Sequence, residues 1–220
     1  MTAQQGLRTA LKEILGPAVR AAGYRGSGTT WRKANEHGDL AIVKVQSSMF
    51  SSAGLLPCVV NLSLAPTPWV DRILEKAVRR PKTIGESYGM YRRRLHPTGA
   101  PPVIDTWWEI TSEDAAADAV HDMVAQLRAD GLPTLDRLLD RSNLLATIRA
   151  HDLGFPADPE EADLTPYFLR CEALILADEG DRAGVDRVLA DLAAHPEPPD
   201  QQPDGFAEWV RERVGVRSIP

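Results

Sequence analysis

The side chains with the clearest potential for chemistry are amides and hydroxyls that interrupt two apolar stretches. Gln46 and Ser48 follow the apolar start of "AIVKVQSSMF", and Asn61 lies in the middle of "PCVVNLSLAP". Side chains alternate between the two faces of a strand, so a hairpin that pairs Gln46 with Asn61 places both amides and Lys44 on one face, away from the apolar residues. Amides on neighbouring strands of one face can share a hydrogen bond. The sequence therefore predicts a polar sheet face that could bind a partner.

The residues around this polar face leave two interpretations open. With a hairpin loop at residues 50–57, Val45 faces Leu62 on the core side. If Trp108 of "DTWWEI" points into the core, Trp107 lies beside the amides and completes a flat recognition surface. The alternative is that Trp107 packs under a helix or loop and the amides bind backbone groups, since a buried amide left unpaired costs about 1–3 kcal/mol.

A second candidate surface is a basic segment in the first half of the chain. Its Lys and Arg residues are Arg72, Lys76, Arg79, Arg80, Lys82, Arg92, Arg93 and Arg94. Tyr88 and Tyr91 are interleaved with them in "ESYGMYRRRLHP". Arginines with aromatic residues suit single-stranded nucleic acid or an acidic protein partner. We predict a loop over residues 80–104, and the plain alternative is a solvated loop neutralised by acidic residues elsewhere. The sequence pI near 5.4 argues against a dedicated nucleic-acid binder.

Catalytic and metal-binding patterns are weak. The chain has no G-x-S-x-G nucleophile motif and no H-E-x-x-H zinc motif. Cys58 and Cys171 lack the spacing of a disulfide or ligand pair, so we interpret both as buried apolar residues. "GYRGSG" precedes a predicted strand and therefore lacks the helix N-terminus that binds phosphate. We expect no cofactor and no metal, and the enzymatic alternative is an unrecognised activity on the polar sheet face.

Charge is distributed unevenly along the chain. Residues 1–105 contain 15 Lys+Arg and 7 Asp+Glu, whereas residues 106–220 contain 10 Arg, no Lys and 24 Asp+Glu, and the whole carries −6. The two halves could attract each other or face different partners. No apolar run approaches the roughly 18 residues of a membrane span, and "MTAQQGLRTALKEILG" lacks the apolar core of a signal peptide. We therefore expect a cytoplasmic protein with no membrane partner.

The elements that position these residues follow from apolar periodicity. Residues 5–22 predict a helix that Pro17 kinks or shortens. Four strands follow, with a turn near His37-Gly38-Asp39 between the first two, and a helix begins at Thr67-Pro68. The predicted fold class is α+β: a four-stranded antiparallel sheet with helices packed on one face, in a core domain over residues 1–153.

Beyond the last strand the periodicity is helical. We predict a helical extension over residues 165–220, with an antiparallel helical hairpin at residues 166–194. The inward stripe of its second helix is Val185, Val188, Leu189 and Leu192. A lone hairpin buries little surface, so this stripe needs cover from the same chain or from a partner protein.

Several motifs resemble a known family when they are read in order. "AAGYRGSGTTWRK", "VKVQSSMF", "VVNLSLAP" and "WWEI", followed by a helical tail, resemble the uncharacterised bacterial family called domain of unknown function 4304. Gln46 and Ser48 match its Gln-x-Ser strand, and Val60, Asn61 and Leu62 match its Val-Asn-Leu strand. The resemblance covers roughly residues 5–140. It implies an α+β fold and supplies no catalytic residues.

These observations favour a non-enzymatic cytoplasmic binding module with a protein partner. An immunity or accessory protein that grips an effector would fit. The alternatives are a nucleic-acid-associated protein that uses an Arg/Tyr loop at residues 79–94, or an enzyme on the polar sheet face, and a homo-oligomer is compatible with all three. The candidate binding residues are Lys44, Gln46, Ser48, Asn61, Tyr88, Tyr91, Arg92, Arg93, Arg94 and Trp107.

Overall fold

The sheet contains six antiparallel strands within the part of the chain that the structure describes. The computed structural model describes residues 2–52, 54–101, 104–154, 163–195 and 205–216. The strands are β1 (Arg25–Ser27), β2 (Thr30–Ala34), β3 (Leu40–Ser47), β4 (Leu56–Ala65), β5 (Tyr91–Leu95) and β6 (Trp108–Ile110). Their order is β1-β2-β3-β4-β5, and β6 also pairs with β4. The predicted α+β class with an antiparallel sheet is confirmed.

The helices precede, interrupt and follow the sheet. They are α1 (Ala3–Ala10), α2 (Gly16–Ala21), α3 (Thr67–Ile73), α4 (Glu113–Gln126), α5 (Leu132–Leu138), α6 (Arg141–Arg149), α7 (Thr165–Glu179), α8 (Arg182–Ala193) and α9 (Phe206–Glu212). A π-helical turn at Leu11–Leu15 joins α1 to α2, and another at Leu127–Gly131 joins α4 to α5. Pro17 and Pro133 each lie in the first turn of the helix that follows. Proline lacks an N–H, so a wider turn at this point accommodates it without ending the helix.

The main hydrophobic core lies between one face of the sheet and helices α1, α2, α4, α5 and α6. Its members include Leu15, Val19, Trp31, Val43, Val60, Leu62, Val120, Met123, Leu135 and Leu144. Each fully buried aliphatic side chain contributes about 1.5–3 kcal/mol relative to exposure. Helices α1 and α4 approach closely because Gly6 has no side chain: a Cβ there would lie 2.9 Å from the Glu113 Cα atom.

Within the described residues, helix packing covers the second face of the sheet at one end. Val70 and Leu74 of the α3 segment pack against Ile42 and Ala65 on this face. The prediction that the helices pack on one face is therefore correct for the large helices and wrong for α3. This helix follows β4 directly and packs its apolar side chains onto the second face of the sheet.

In the hairpin of β3 and β4 each side chain lies on the predicted face of the sheet, but the residues that pair across the two strands differ from the prediction. Gln46 lies opposite Val59, and Lys44 lies opposite Asn61. The predicted direct pairing of Gln46 with Asn61 is thus wrong by two residues. A shift of two keeps every side chain on its face. The two amides accordingly share the face opposite Val45, and that prediction is confirmed.

Two differences raise the strand count from four to six. The first predicted strand is divided at a turn, where Gly28 has φ +68° and Gly26 has φ +142°. A Cβ at Gly26 would lie 2.2 Å from the Thr30 carbonyl oxygen, so the tight β1–β2 pairing requires glycine there. In addition, β5 lies within residues 80–104, where a loop was predicted.

The C-terminal hairpin obtains its cover from this chain. Val185, Val188 and Leu189 of α8 are buried in a cluster with α7 and α9, and Leu192 packs at its margin. Helix α7 also supplies Phe168 to the main core. The division into units at residues 1–153 and 165–220 stays a prediction.

Candidate binding groove

An open groove of about 1150 Å³ lies on the second sheet face, at the end that α3 leaves uncovered. The strand ends of β3, β4 and β6 contribute to it, together with residues 47–50 and 104–107. Its principal side chains are Gln46, Met49, Phe50, Arg94, Ile104 and Trp107. The polar face predicted from the sequence is therefore half covered and half open.

A chain of hydrogen bonds crosses this part of the sheet. Asn61 Nδ2 donates to Gln46 Oε1 at 2.8 Å, and Arg94 Nε donates to Asn61 Oδ1 at 3.3 Å. Arg94 Nη1 donates to Asp105 Oδ2 at 2.5 Å, and Trp107 Nε1 donates to the same oxygen at 3.1 Å. Each member is oriented by its neighbour, so the polar groups are held in place before any ligand arrives.

Trp107 is held as a flat aromatic surface at one side of the groove. The Arg94 guanidinium carbon lies 5.5 Å from its ring centroid, a cation–π contact. The side chains of Arg94 and Asp105 are 42% and 50% exposed, so this ion pair is in contact with solvent. An exposed contact of this kind contributes about 0.5–1 kcal/mol. Its main effect is therefore to fix the orientation of Trp107.

Exposed apolar side chains surround the polar residues. Met49 is 87% exposed, Phe50 is 84% exposed and Ile104 is 57% exposed. Among the described residues, three of the seven large apolar side chains that are exposed line this one groove. Exposed apolar surface concentrated in one place is a feature that interaction sites share.

A local turn holds Met49 and Phe50 outward. The Ser48 Oγ accepts a hydrogen bond from the Phe50 N–H at 3.0 Å, and the Ser51 Oγ donates to the Ser48 carbonyl at 2.6 Å. Such side-chain bonds to nearby backbone replace the ladder bonds of a strand. Ser48, predicted as a binding residue, therefore lines the groove and also shapes its loop.

The structure brings some predicted site residues together and separates others. Gln46, Ser48, Asn61, Arg94 and Trp107 meet at or beneath the groove. The others lie elsewhere and are Lys44, Tyr88, Tyr91, Arg92 and Arg93.

Lys44 and Tyr88 take part in the covered end of the same face. The Lys44 Nζ lies 2.9 Å from the Glu86 Oε2, and Glu86 is a buried carboxylate. The carbonyl of half-buried Tyr88 accepts a hydrogen bond from the Trp69 indole at 3.0 Å. The first contact fixes the 3₁₀ turn Glu86–Tyr88 to β3, and the second fixes it to α3.

The Arg/Tyr segment is divided by strand alternation. Arg92 and Arg94 lie on the groove side of β5, whereas Tyr91 lies in the main core and burial raises its pKa. Arg93 also lies on the core side and forms an ion pair with Asp130 at the margin. The predicted loop at residues 79–94 is thus not one continuous Arg/Tyr surface.

The thiols of Cys58 and Cys171 are buried and unreactive. Burial raises the pKa of Cys58 to about 12 and also raises the pKa of Cys171. A thiol must ionise to act as a nucleophile or metal ligand, so neither is reactive near neutral pH. Among the described residues, no group of three or more His, Cys, Asp or Glu side chains could hold a metal ion.

Sequence reasoning missed the apolar part of the groove. Met49 and Phe50 sit in "SSMFSSAG", where two large apolar residues in a Ser/Gly loop were a usable signal. Asp105 and Ile104 had no local signal, because residues between 95 and 108 are brought to the groove only by the pairing of β5 and β6 with the same strand.

The fold and groove together define a class of protein: an α+β domain with a half-open antiparallel sheet. Residues 15–137 match the family described as Domain of unknown function (DUF4304). This match spans more than half of the chain and includes all the groove residues, and the chain belongs to this family. No curated protein and no solved structure matches the chain. Within the described residues, no helix has the length and apolar character needed to cross a membrane.

Proposed function

We propose that this chain is a non-enzymatic, cytoplasmic binding module whose groove holds part of a protein partner. The observation that carries the proposal is the exposure of Met49, Phe50 and Ile104 around one groove. Water-exposed apolar side chains gain free energy when a partner covers them, at about 25 cal/mol per Å². Clusters of this kind are uncommon on soluble monomers unless they bind something.

The polar residues of the groove support a binding role. Trp and Arg are the residues most often found at the energetic centre of protein interfaces, and Trp107 and Arg94 are in contact here. Both are already oriented by Asp105. Little side-chain freedom is lost when a partner arrives, which favours affinity. An immunity or accessory protein that grips an effector is the biological setting that fits these features.

The test is capture of the partner by the full chain. Tagged protein is incubated with a lysate of its native organism, and the retained proteins are identified by mass spectrometry. The Met49→Asp/Phe50→Asp double variant places two charges in the groove. The amount of partner that it retains should fall at least tenfold, because desolvating unpaired charge is unfavourable. Val78→Asp is the control for a charge added at an exposed apolar position, since Val78 is fully exposed outside the groove.

Two results would overturn this proposal. One is equal retention of the same partner by the native chain and by the folded double variant. The other is equal loss in the groove variant and in the Val78→Asp control, which would point to a general effect of charge. Circular dichroism of each variant establishes that it is folded.

Nucleic-acid association is the second candidate, and one observation favours it. Lys76, Arg79 and Lys82 are exposed in the segment after α3. If they contact phosphates, binding of a single-stranded oligonucleotide should weaken steeply with salt, because phosphate contacts release counterions. Absence of binding at low salt would remove this candidate.

A further inference from the structure

Strands β5 and β6 act as one interrupted edge strand. β5 pairs with residues 60–64 of β4, and β6 pairs with residues 56–58 of the same strand, in the same direction. The chain leaves the sheet between them and returns, and His96 Nδ1 lies 2.9 Å from the Thr106 carbonyl oxygen where the excursion closes. Within the described residues, no further strand pairs with β5 or β6.

The hydrogen-bond pattern shows which backbone groups face the open side of this edge. The Ser48 N–H donates to the Pro57 carbonyl at 2.8 Å, so the backbone of Pro57 faces β3. Glu109 lies opposite Pro57. In an antiparallel ladder this makes a non-hydrogen-bonded pair, and the N–H and C=O of Glu109 point away from β4. By the same alternation the Arg92 N–H points outward, and there it donates to the Leu153 carbonyl at 3.2 Å.

The charge of the groove is set by three side chains. Arg94 and Asp105 neutralise each other, with 2.5 Å between Nη1 and Oδ2. Glu109 is exposed and lines the groove, and it has no ion pair with any described residue. The nearest cation along β3 on the same face, Lys44, is bound to Glu86. Among the described residues, Glu109 is therefore the one charged side chain of the groove without an ion-pair partner, and it lies beside an apolar surface.

From these observations, which rest on the proposed function of the groove, we infer that its occupant is an extended peptide segment carrying an apolar side chain and a lysine or arginine two residues apart. Side chains two residues apart lie on the same face of a strand. The segment adds to the open edge of β6 through the outward N–H and C=O of Glu109, the recognition mode called β-augmentation.

Each part of the occupant then has a defined contact. Its apolar side chain packs on Ile104, and Met49 and Phe50, which follow β3 beyond β4, bound the groove opposite it. Its cationic side chain pairs with Glu109 across the new strand pair, where opposite charges are favourable and like charges are unfavourable. A cation of this kind also meets no free positive charge in the groove, because Arg94 is already bound to Asp105.

The test uses two defined probes with the full chain. One is the acetylated and amidated peptide Thr-Leu-Thr-Lys-Thr-Leu-Thr, labelled for fluorescence polarisation, and the other has Glu in place of Lys. The native chain should bind the Lys peptide about tenfold more tightly than the Glu peptide at low ionic strength, since the two differ by one attractive and one repulsive contact. Added salt should reduce the ratio of the two affinities, because it screens the interactions between charges.

Three variants locate the effect. Glu109→Lys should reverse the preference, so that the Glu peptide binds more tightly. Glu36→Lys makes the same charge change in the turn before β3, where Glu36 is exposed, and should keep the native preference. Phe50→Ser removes apolar surface without adding charge and should weaken both peptides together.

The outcomes separate this inference from the proposed function. Equal binding of both peptides by the native chain would overturn the inference, as would an unchanged preference in Glu109→Lys. Failure of both peptides to bind would overturn it as well. In each of these cases capture of a partner that depends on Met49 and Phe50 would still support the groove as a protein-binding site.

Discussion

Two arginines in this molecule bind aspartates in opposite surroundings. Arg141 is buried and makes a two-pronged contact with buried Asp39, with Nε–Oδ2 and Nη2–Oδ1 distances of 2.9 and 3.0 Å. Its Nη1 also donates to Asp178 and Glu179, at 2.6 and 2.8 Å. Arg94 binds a single half-exposed aspartate beside an open groove.

The buried arginine joins distant parts of the chain. Asp39 precedes β3, Arg141 begins α6, and Asp178 and Glu179 end α7. Asp39 also accepts a hydrogen bond from the Thr67 N–H at 2.9 Å, at the start of α3. This cluster therefore ties the DUF4304 sheet to the first helix of the C-terminal hairpin.

The two clusters differ in burial, and burial determines how much an ion pair contributes to stability. Removing one partner of a buried pair leaves an uncompensated charge and costs about 3–5 kcal/mol. An exposed pair contributes about 0.2–1 kcal/mol, because water solvates either partner alone. The Arg141 cluster is thus an element of the fold, and the Arg94 cluster is available for recognition.

The largest effect is expected at Arg141. Arg141→Met keeps much of the side-chain volume and leaves the Asp39 and Asp178 carboxylates buried without their shared cation. The free energy of unfolding in urea should fall by about 3–5 kcal/mol. Arg128→Met is the control at an exposed helical position and should change it by less than about 0.5 kcal/mol. A loss below 1 kcal/mol in Arg141→Met would break the comparison.

An intermediate effect is expected in the pH dependence of stability. Burial alone raises the pKa of Asp39, but hydrogen bonds and charge from Arg141, with the Thr67 N–H and Asn35, outweigh it and hold this pKa below 3.8. A lowered carboxyl pKa adds stability that is fully present above the unfolded pKa and is lost as pH falls through the folded value.

This pH effect is measured by urea unfolding in a series of buffers below pH 5. The native chain should lose more stability below pH 3.8 than the Asp39→Asn variant, which has no proton to bind at that site. Parallel curves for the two proteins would show that Asp39 does not carry this part of the acid sensitivity.

The smallest effect on stability is expected at Arg94. Arg94→Met removes the contacts to Asn61, Asp105 and Trp107. The contacts to Asp105 and Trp107 are exposed, and the bond to buried Asn61 is long at 3.3 Å, so the unfolding free energy should fall by only about 1 kcal/mol. Binding of the captured partner should weaken much more than stability. A stability loss as large as that of Arg141→Met would place Arg94 in the fold instead.

The faces of the sheet were predictable, whereas its register was not. The alternation of Val43 and Val45 with Lys44 and Gln46 has a period of two, so it assigns each side chain to a face. A shift by two residues leaves that pattern unchanged. The choice between such registers depends on the hairpin connection, which runs over residues 48–55 and not 50–57.

Strand β5 and the Arg141 cluster were harder to predict for another reason. In β5, Tyr91 and Leu95 face the core, but Arg93 between them hides the apolar alternation by reaching Asp130 at the margin. Arg141 and Asp39 are 102 residues apart. Neither pairing leaves a local signal, since both depend on how helices pack on the finished sheet.

Chemical protection of Met49 tests the groove most directly. Met49 is 87% exposed, whereas Met90 and Met123 are fully buried and serve as internal controls. Methionine oxidation to the sulfoxide follows exposure, and mass spectrometry can measure it in the free chain and in the chain retained with its captured protein. The groove account predicts rapid oxidation of Met49 in the free chain and at least about tenfold protection in the complex, with Met90 and Met123 unreactive in both. Equal oxidation of Met49 in the two states would contradict it.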